Sequence, residues 1–201
     1  MRFREILEAI APGNDSVISR VLGVLNAPED DKDTAKAATG SAGADVSAIQ
    51  DPDFDKKLQK VADALGIDKS ALIQVMKRES RMDPKAINPK SGASGLIQFM
   101  PKTAENLGTS IDAIRKMSAV EQLDYVYKYY KMVGVKPGMN AEDLYVATFM
   151  PAALGKPDNT VLGQSGAGGF SGAVYAQNAG IDRAKKGTIT VADIKNFVRT
   201  A

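Results

Sequence analysis

From Pro52 onward the apolar residues recur at helical spacing, and each run stops at a glycine or a proline. Phe54, Leu58, Val61 and Leu65 form one stripe, ended by Gly66. Asp68 can cap a second helix over 69–80. Ser118-Ala119-Val120-Glu121 has the form of a capping box. It opens a run carrying Val120, Leu123, Val126, Tyr127 and Tyr130, closed by Gly134. Asn140 can cap a helix over 141–149 that stops at Pro151, and Thr190 a last one bearing Val191, Ile194, Phe197 and Val198. Thr103 to Leu107 reads as a short helix. No long period-two pattern competes, so a mainly α fold is predicted. Any β or loop element is small and sits near 85–98, where Pro84, Asn88-Pro89 and Ser91-Gly92 break the chain. The Gly- and Ser-rich run 163–172 reads as a loop.

Upstream the pattern differs. Phe3, Ile6, Leu7 and Ile10 make one amphipathic helix, broken by Pro12-Gly13-Asn14. Val17, Ile18, Val21, Leu22 and Leu25 make another, so residues 1–26 read as an N-terminal helical segment. Residues 27–51 turn to Ala, Gly, Ser, Thr and Asp and read as a flexible linker. The compact domain is expected over 52–201.

With 201 residues and 44% hydrophobic content, one domain can bury a sizeable core. No apolar run approaches the roughly 20 residues of a membrane helix, and MRFREILEAI lacks the apolar stretch of a secretory signal. A net charge of +2 gives no case for nucleic acid. The chain has no cysteine and no histidine. That excludes disulfides, thiol nucleophiles, His-based triads and zinc sites of the usual kind, and no metal or cofactor is expected. Acid–base chemistry falls to carboxylates, Lys or Tyr.

Glu79 is the carboxylate that stands out. On a helix over 69–80, Leu72, Val75, Met76 and Glu79 lie at i, i+3, i+4 and i+7, so Glu79 continues the apolar face. Desolvation there disfavours the ionised form, and the helix C-terminus pushes the same way. Both effects suit a general acid. The plainer reading is a Glu paired with Arg81 or Lys85. Ser80 can hydrogen-bond Glu79 or cap the helix end. A second segment, Gly92-Ala93-Ser94-Gly95-Leu96-Ile97-Gln98-Phe99-Met100-Pro101, has two glycines that let backbone approach a ligand. Gln98 can donate and accept, as acetamido and hydroxyl groups require.

Together the run VMKRESRMDPKAINPKSGASGLIQFMPKTAENLG resembles the catalytic core of the soluble lytic transglycosylases, a branch of the lysozyme-like superfamily. The resemblance covers about residues 52–155. It implies a lysozyme-like fold that cuts the MurNAc-GlcNAc bond of peptidoglycan, with the glycan strand as partner. Glu79 of the Glu-Ser pair is then the single acid and base. It protonates the leaving oxygen, the N-acetyl group stabilises the cation, and the sugar's own C6 hydroxyl closes a 1,6-anhydro end. Ser80, Ser94, Gly95, Leu96, Ile97, Gln98 and Phe149 become the substrate-binding residues. Ile97 replaces the Met of the family's Gly-Leu-Met-Gln.

The family's third motif, Ala-Tyr-Asn-Ala-Gly, falls at Ala147-Thr148-Phe149-Met150-Pro151-Ala152, with Phe149 where Tyr is expected and Met150 where Asn is expected. Tyr175-Ala176-Gln177-Asn178-Ala179-Gly180 looks like a displaced copy, but it follows a Gly-rich loop rather than a helix. Tyr127, Tyr130 or Tyr145 can supply a hydroxyl instead. Asp83, Glu105, Asp112 and Asp143 are available as a second acid, with no spacing that singles one out. A muramidase using water, or a virion structural or glycan-binding protein without turnover, stay open. The departures from the family pattern resemble phage-borne members. The expected location is a virion or the host cell wall, with residues 1–26 docking on other virion proteins or packing on the domain.

Asp182 to Asp193 mimics an EF-hand loop, with Gly187 at position 6 and Ile189 at position 8. Ala184 and Lys186 stand at positions 3 and 5, so calcium binding is not expected.

Overall fold

The computed structural model describes residues 52–199. The expected N-terminal helices and the linker over 27–51 lie outside them, apart from the linker's boundary at Pro52, where the first helix begins.

The domain is built mainly of helices: α1 Pro52–Leu65, α2 Lys69–Ser80, α3 Pro101–Asn106, α4 Ile111–Lys116, α5 Ala119–Met132, α6 Ala141–Phe149, α7 Gly169–Asn178 and α8 Val191–Arg199. Two strands, β1 Val161–Gln164 and β2 Thr188–Thr190, pair antiparallel. Most helix starts carry the chemistry their sequences promised. Ser118 accepts from the Glu121 N–H while Glu121 reaches back to the Ser118 N–H. Asn140 and Asp143 do the same for α6. Thr190 and Asp193 exchange the equivalent bonds at α8. Asp68 precedes α2 in extended backbone but makes no side-chain cap bond.

Three elements depart from expectation. The sheet lies at 161–164 and 188–190, away from 85–98, where only isolated bridges join Ile87 to Ser94 and Ser94 to Phe99. The supposed loop over 163–172 begins in β1 and ends in α7. Close approach explains this: a Cβ at Gly163 would press within 2.9 Å of the Tyr175 backbone, and one at Gly172 would overlap the Ala167 carbonyl. These glycines are packing contacts. Finally, α4 is a single capped turn, with Ser110 accepting from Ala113 N–H, too short to show a period.

The core runs through the whole described chain. Phe54, Leu58, Leu72, Met76, Leu96, Ile114, Leu123, Tyr130 and Leu144 are almost fully enclosed. Each such aliphatic or aromatic side chain contributes about 1.5–3 kcal/mol. α1 lies against α5, and α2 is packed against α6, which in turn carries α8. The end of α2 is therefore held among α6, α8 and the loop that follows it.

Candidate active site

Glu79 is the penultimate residue of α2 and is half-buried. Next to it, Ser80 is buried, with Oγ 3.1 Å from Met76 O and 2.9 Å from Leu96 O. The hydroxyl thus fastens the helix end to the second motif. Arg81 and Met82 both take left-handed backbone, φ 56° and 68°, so the chain leaves α2 in a tight reversal. Arg81 N–H bonds Lys77 O and Met82 N–H bonds Met76 O, which closes the last carbonyls. Two non-glycine residues in this region carry local strain of about 1–3 kcal/mol each. The buried Met82 side chain anchors the reversal in the core.

Gly95-Leu96-Ile97-Gln98 is the tip of a small hairpin. Ser94 and Phe99 close it with bonds of 3.0 and 2.8 Å. Gln98 also sits at positive φ, 52°, and its Nε2 donates to Gly95 O at 3.1 Å. The tip is held from both sides at one residue: Leu96 C=O meets Ser80, and Leu96 N–H donates to Gln122 Oε1 at 2.9 Å. Gln122 Nε2 donates in turn to Pro84 O and Ile114 O at 2.7 and 3.1 Å. Fully buried, this one amide ties α5, α4 and both ends of the loop together. Gly95 is required at φ 81°, because a Cβ there would overlap Gln122 Oε1.

A second bracket stands behind the loop. Arg115 Nε donates to Ser94 Oγ at 2.9 Å, its Nη2 to Gly92 O, and its Nη1 to Asp112. Lys85 Nζ donates to the carbonyls of Arg115, Lys116 and Met117 at 2.8–3.0 Å, so its three protons close the end of α4. Lys85 is thereby committed to α4, away from the pairing with Glu79 that the plainer reading entertained.

The structure joins Glu79, Ser80 and the Gly95–Gln98 tip into one region. Side chains divide within it. Leu96, Ile97, Ser80 and Ser94 point into the interior, while Gln98 and Glu79 are half-buried at its edge. Phe149 ends α6, which packs on α2; its ring stacks on Tyr145 at 6.5 Å, and Tyr145 meets Phe197 at 6.1 Å. Tyr130 shares its hydroxyl with Thr148 Oγ1 at 2.9 Å, and Tyr129 donates to Ala147 O, which pins the end of α6. Tyr175–Asn178 lie in the last turn of α7, so these residues are helical, contrary to the reason for setting the Tyr175–Gly180 copy aside.

Residues 56–130 match the family described as the transglycosylase SLT domain. The matched span holds Glu79-Ser80, the Gly95–Gln98 tip and Gln122, the three parts that the hydrogen bonds bring together. Over that span the chain is similar to the lytic transglycosylase domains of the lysozyme-like superfamily, which act on peptidoglycan. The SLT match stops before α6, so Phe149 and the β1–α8 segment lie outside it.

Sequence reasoning missed Gln122, Arg115 and the part Lys85 plays at the end of α4. Gln122 carried a readable signal, the same one that picked out Glu79. It stands at i, with Val126 at i+4 and Tyr129 at i+7, a polar side chain on an apolar face. Lys85 and Arg115 carried none, because the carbonyls that Lys85 binds, and the Ser94 hydroxyl and Gly92 carbonyl that Arg115 binds, lie far off in the chain.

The Asp182–Asp193 loop also resolves. Asp182 accepts from Lys186 N–H, Gly187 N–H and the Tyr175 hydroxyl. Lys186 Nζ lies 2.9 Å from both oxygens of Asp193. The lysine ammonium holds the carboxylate that a calcium ion would take in an EF-hand. Among the described residues no cluster of carboxylates suits a metal.

Proposed function

We propose that the domain cleaves the β-1,4 bond between MurNAc and GlcNAc, with Glu79 as the only acid and base. The carrying observation is the bond from Ser80 Oγ to Leu96 O at 2.9 Å, which fixes the Glu79 turn against the Gly95–Gln98 tip. A partly desolvated carboxyl at a helix C-terminus is the environment a proton donor needs. Backbone of the tip and the Gln98 amide face the glycan. The buried Leu96 and Ile97 side chains support the tip from behind. Positive φ at Arg81, Met82 and Gln98, all in this small region, favours a functional site over a plain turn. Glu79 first protonates the leaving glycosidic oxygen while the N-acetyl group stabilises the cation. It then takes the proton of the C6 hydroxyl as that oxygen closes on C1. No second carboxylate is required.

The test is digestion of purified peptidoglycan by the wild type and by Glu79→Gln, with mass analysis of the products. Anhydro ends from the wild type, and a loss of about 10³-fold or more in the variant, are expected. Reducing ends would make the protein a muramidase. No release by a folded wild type would make it a glycan-binding or structural domain.

A further inference from the structure

Two arginines meet at one aromatic ring beside the proposed acid. The guanidinium carbon of Arg78 lies 3.3 Å from the centre of the Phe197 ring, and that of Arg183 lies 5.3 Å from it. Arg78 immediately precedes Glu79 in the last turn of α2. Phe197 comes from α8 and Arg183 from the loop before β2, both beyond the span the family match covers. Among the described residues neither guanidinium hydrogen-bonds or ion-pairs with a protein group. Three neighbouring cations behave differently: Lys186, Lys195 and Arg199 reach Asp193, Asp158 and Glu142.

Ring stacking accounts for the position of one planar cation. It does not account for a second like charge at the same ring with no counter-charge among the described residues, an arrangement that like-charge repulsion disfavours. An oxyanion relieves that cost. A guanidinium stacked on a ring keeps its N–H edge free, in the fork geometry that a carboxylate matches. The ring also fixes both side chains before a ligand arrives, so less entropy is lost on binding.

We propose that Arg78 and Arg183 form a subsite for a carboxylate of the peptide stem borne by the glycan strand. The proposal rests on the reading of Glu79 as the cleaving acid. Arg78 adjoins Glu79 in α2, and an extended stem spans about 3.3–3.6 Å per residue, enough to reach from the sugar being cut round to the next helix face. The sugars at that bond are uncharged rings, whereas the stem, attached through the lactyl group of MurNAc, carries free carboxylates. The pair therefore favours strands that retain their peptides.

The experiment compares kcat and KM on peptide-bearing strands and on strands stripped of their stems, with the lactyl carboxylate that stripping frees converted to an amide. Enzymes are the wild type, Arg183→Gln, Arg78→Lys and the double variant Arg78→Gln/Arg183→Gln, with folding checked by thermal melts. In parallel, titration with the isolated stem peptide measures binding without cleavage. The wild type is expected to prefer peptide-bearing strands. The double variant is expected to lose about tenfold of that preference, through KM, with a matching loss in stem-peptide affinity. Arg78→Lys keeps the charge but not the fork and falls between. Exposed Arg183 tolerates replacement, so Arg183→Gln alone keeps the test alive if the double variant fails to fold. An unchanged preference in a folded, cleaving variant overturns the subsite and leaves the enzyme reading intact. Stem-peptide binding that needs both arginines, in a protein that cleaves nothing, overturns the enzyme reading and leaves the subsite.

Discussion

Gly95 and Gln122 show how one atom can couple two residues. A Cβ at position 95 meets Gln122 Oε1 and Cδ, and comes within 3.2 Å of Ile114 Cγ2. Gly95→Ala therefore combines a clash with a left-handed backbone and is expected to cost about 1–3 kcal/mol in urea denaturation. Gln122→Ala removes the clashing oxygen but leaves Leu96 N–H, Pro84 O and Ile114 O without their partner. Each unmet buried group costs about 1–3 kcal/mol, so the total is expected near 3 kcal/mol or more. In the double variant the two costs add to less than their sum, because one lesion removes the obstacle of the other. Strict additivity would mean that the tip is not braced through Gln122. At this scale the sequence was legible where a polar residue interrupted an apolar stripe. Glu79 was found that way and Gln122 was overlooked. Ser80 was legible as a position but not as a role, since its partner, Leu96 O, lies 16 residues away and depends on the hairpin.

Among elements, the loop from Asp182 to Asp193 and the helix it opens depend on charge. Burial works to raise the Asp182 carboxyl, but the N–H groups of Lys186 and Gly187 and the Tyr175 hydroxyl outweigh it and hold the group below its ordinary value. Burial likewise opposes Asp193, and Lys186 and Thr190 bring it below its ordinary value. Carboxylates depressed in the folded state stabilise it above their unfolded pKa, about 3.9, and lose that contribution as pH falls through the lower folded value. The β2–α8 segment is thus expected to loosen below about pH 4. Amide exchange of α8 at pH 3 and pH 6 checks this, and equal protection at both would refute it. Because Lys186 supplies the positive charge, a calcium chelator is expected to leave the melting temperature unchanged, while Lys186→Met lowers it. A melt that shifts with the chelator would show that calcium, not the ammonium, holds Asp193. Legibility at this level followed helix length. Capped helices such as α5 and α6 read well from sequence. The one-turn α4 and the glycine-lined β1–α7 hairpin did not, because glycine chosen for close packing resembles glycine chosen for a loop.

For the whole molecule, the question is where the domain ends. The family match covers 56–130, but the buried surface does not stop there. Val191, Ile194 and Val198 from α8 are all but enclosed, and α8 lies along α6, which lies along α2. Arg199 pairs with Glu142 of α6, and Lys195 with Asp158, so the last helix is fastened at its edges as well. Removing α8 would take those three side chains out of the core and expose the face of α6 they cover. At about 1.5–3 kcal/mol per enclosed side chain, against a typical total stability of about 5–15 kcal/mol, that loss rivals the whole. A chain ending at Thr190 is therefore expected to lose cooperative unfolding and glycan cleavage together. A chain beginning at Pro52 is expected to keep both, since the described residues share one continuous core. Thermal melts and peptidoglycan digestion of the two truncations separate the cases. Activity that survives loss of α8 would confine the working unit to the matched family span. Activity that fails on removal of residues 1–51, in a protein that still melts cooperatively, would give those residues a part in catalysis or substrate binding rather than in the fold.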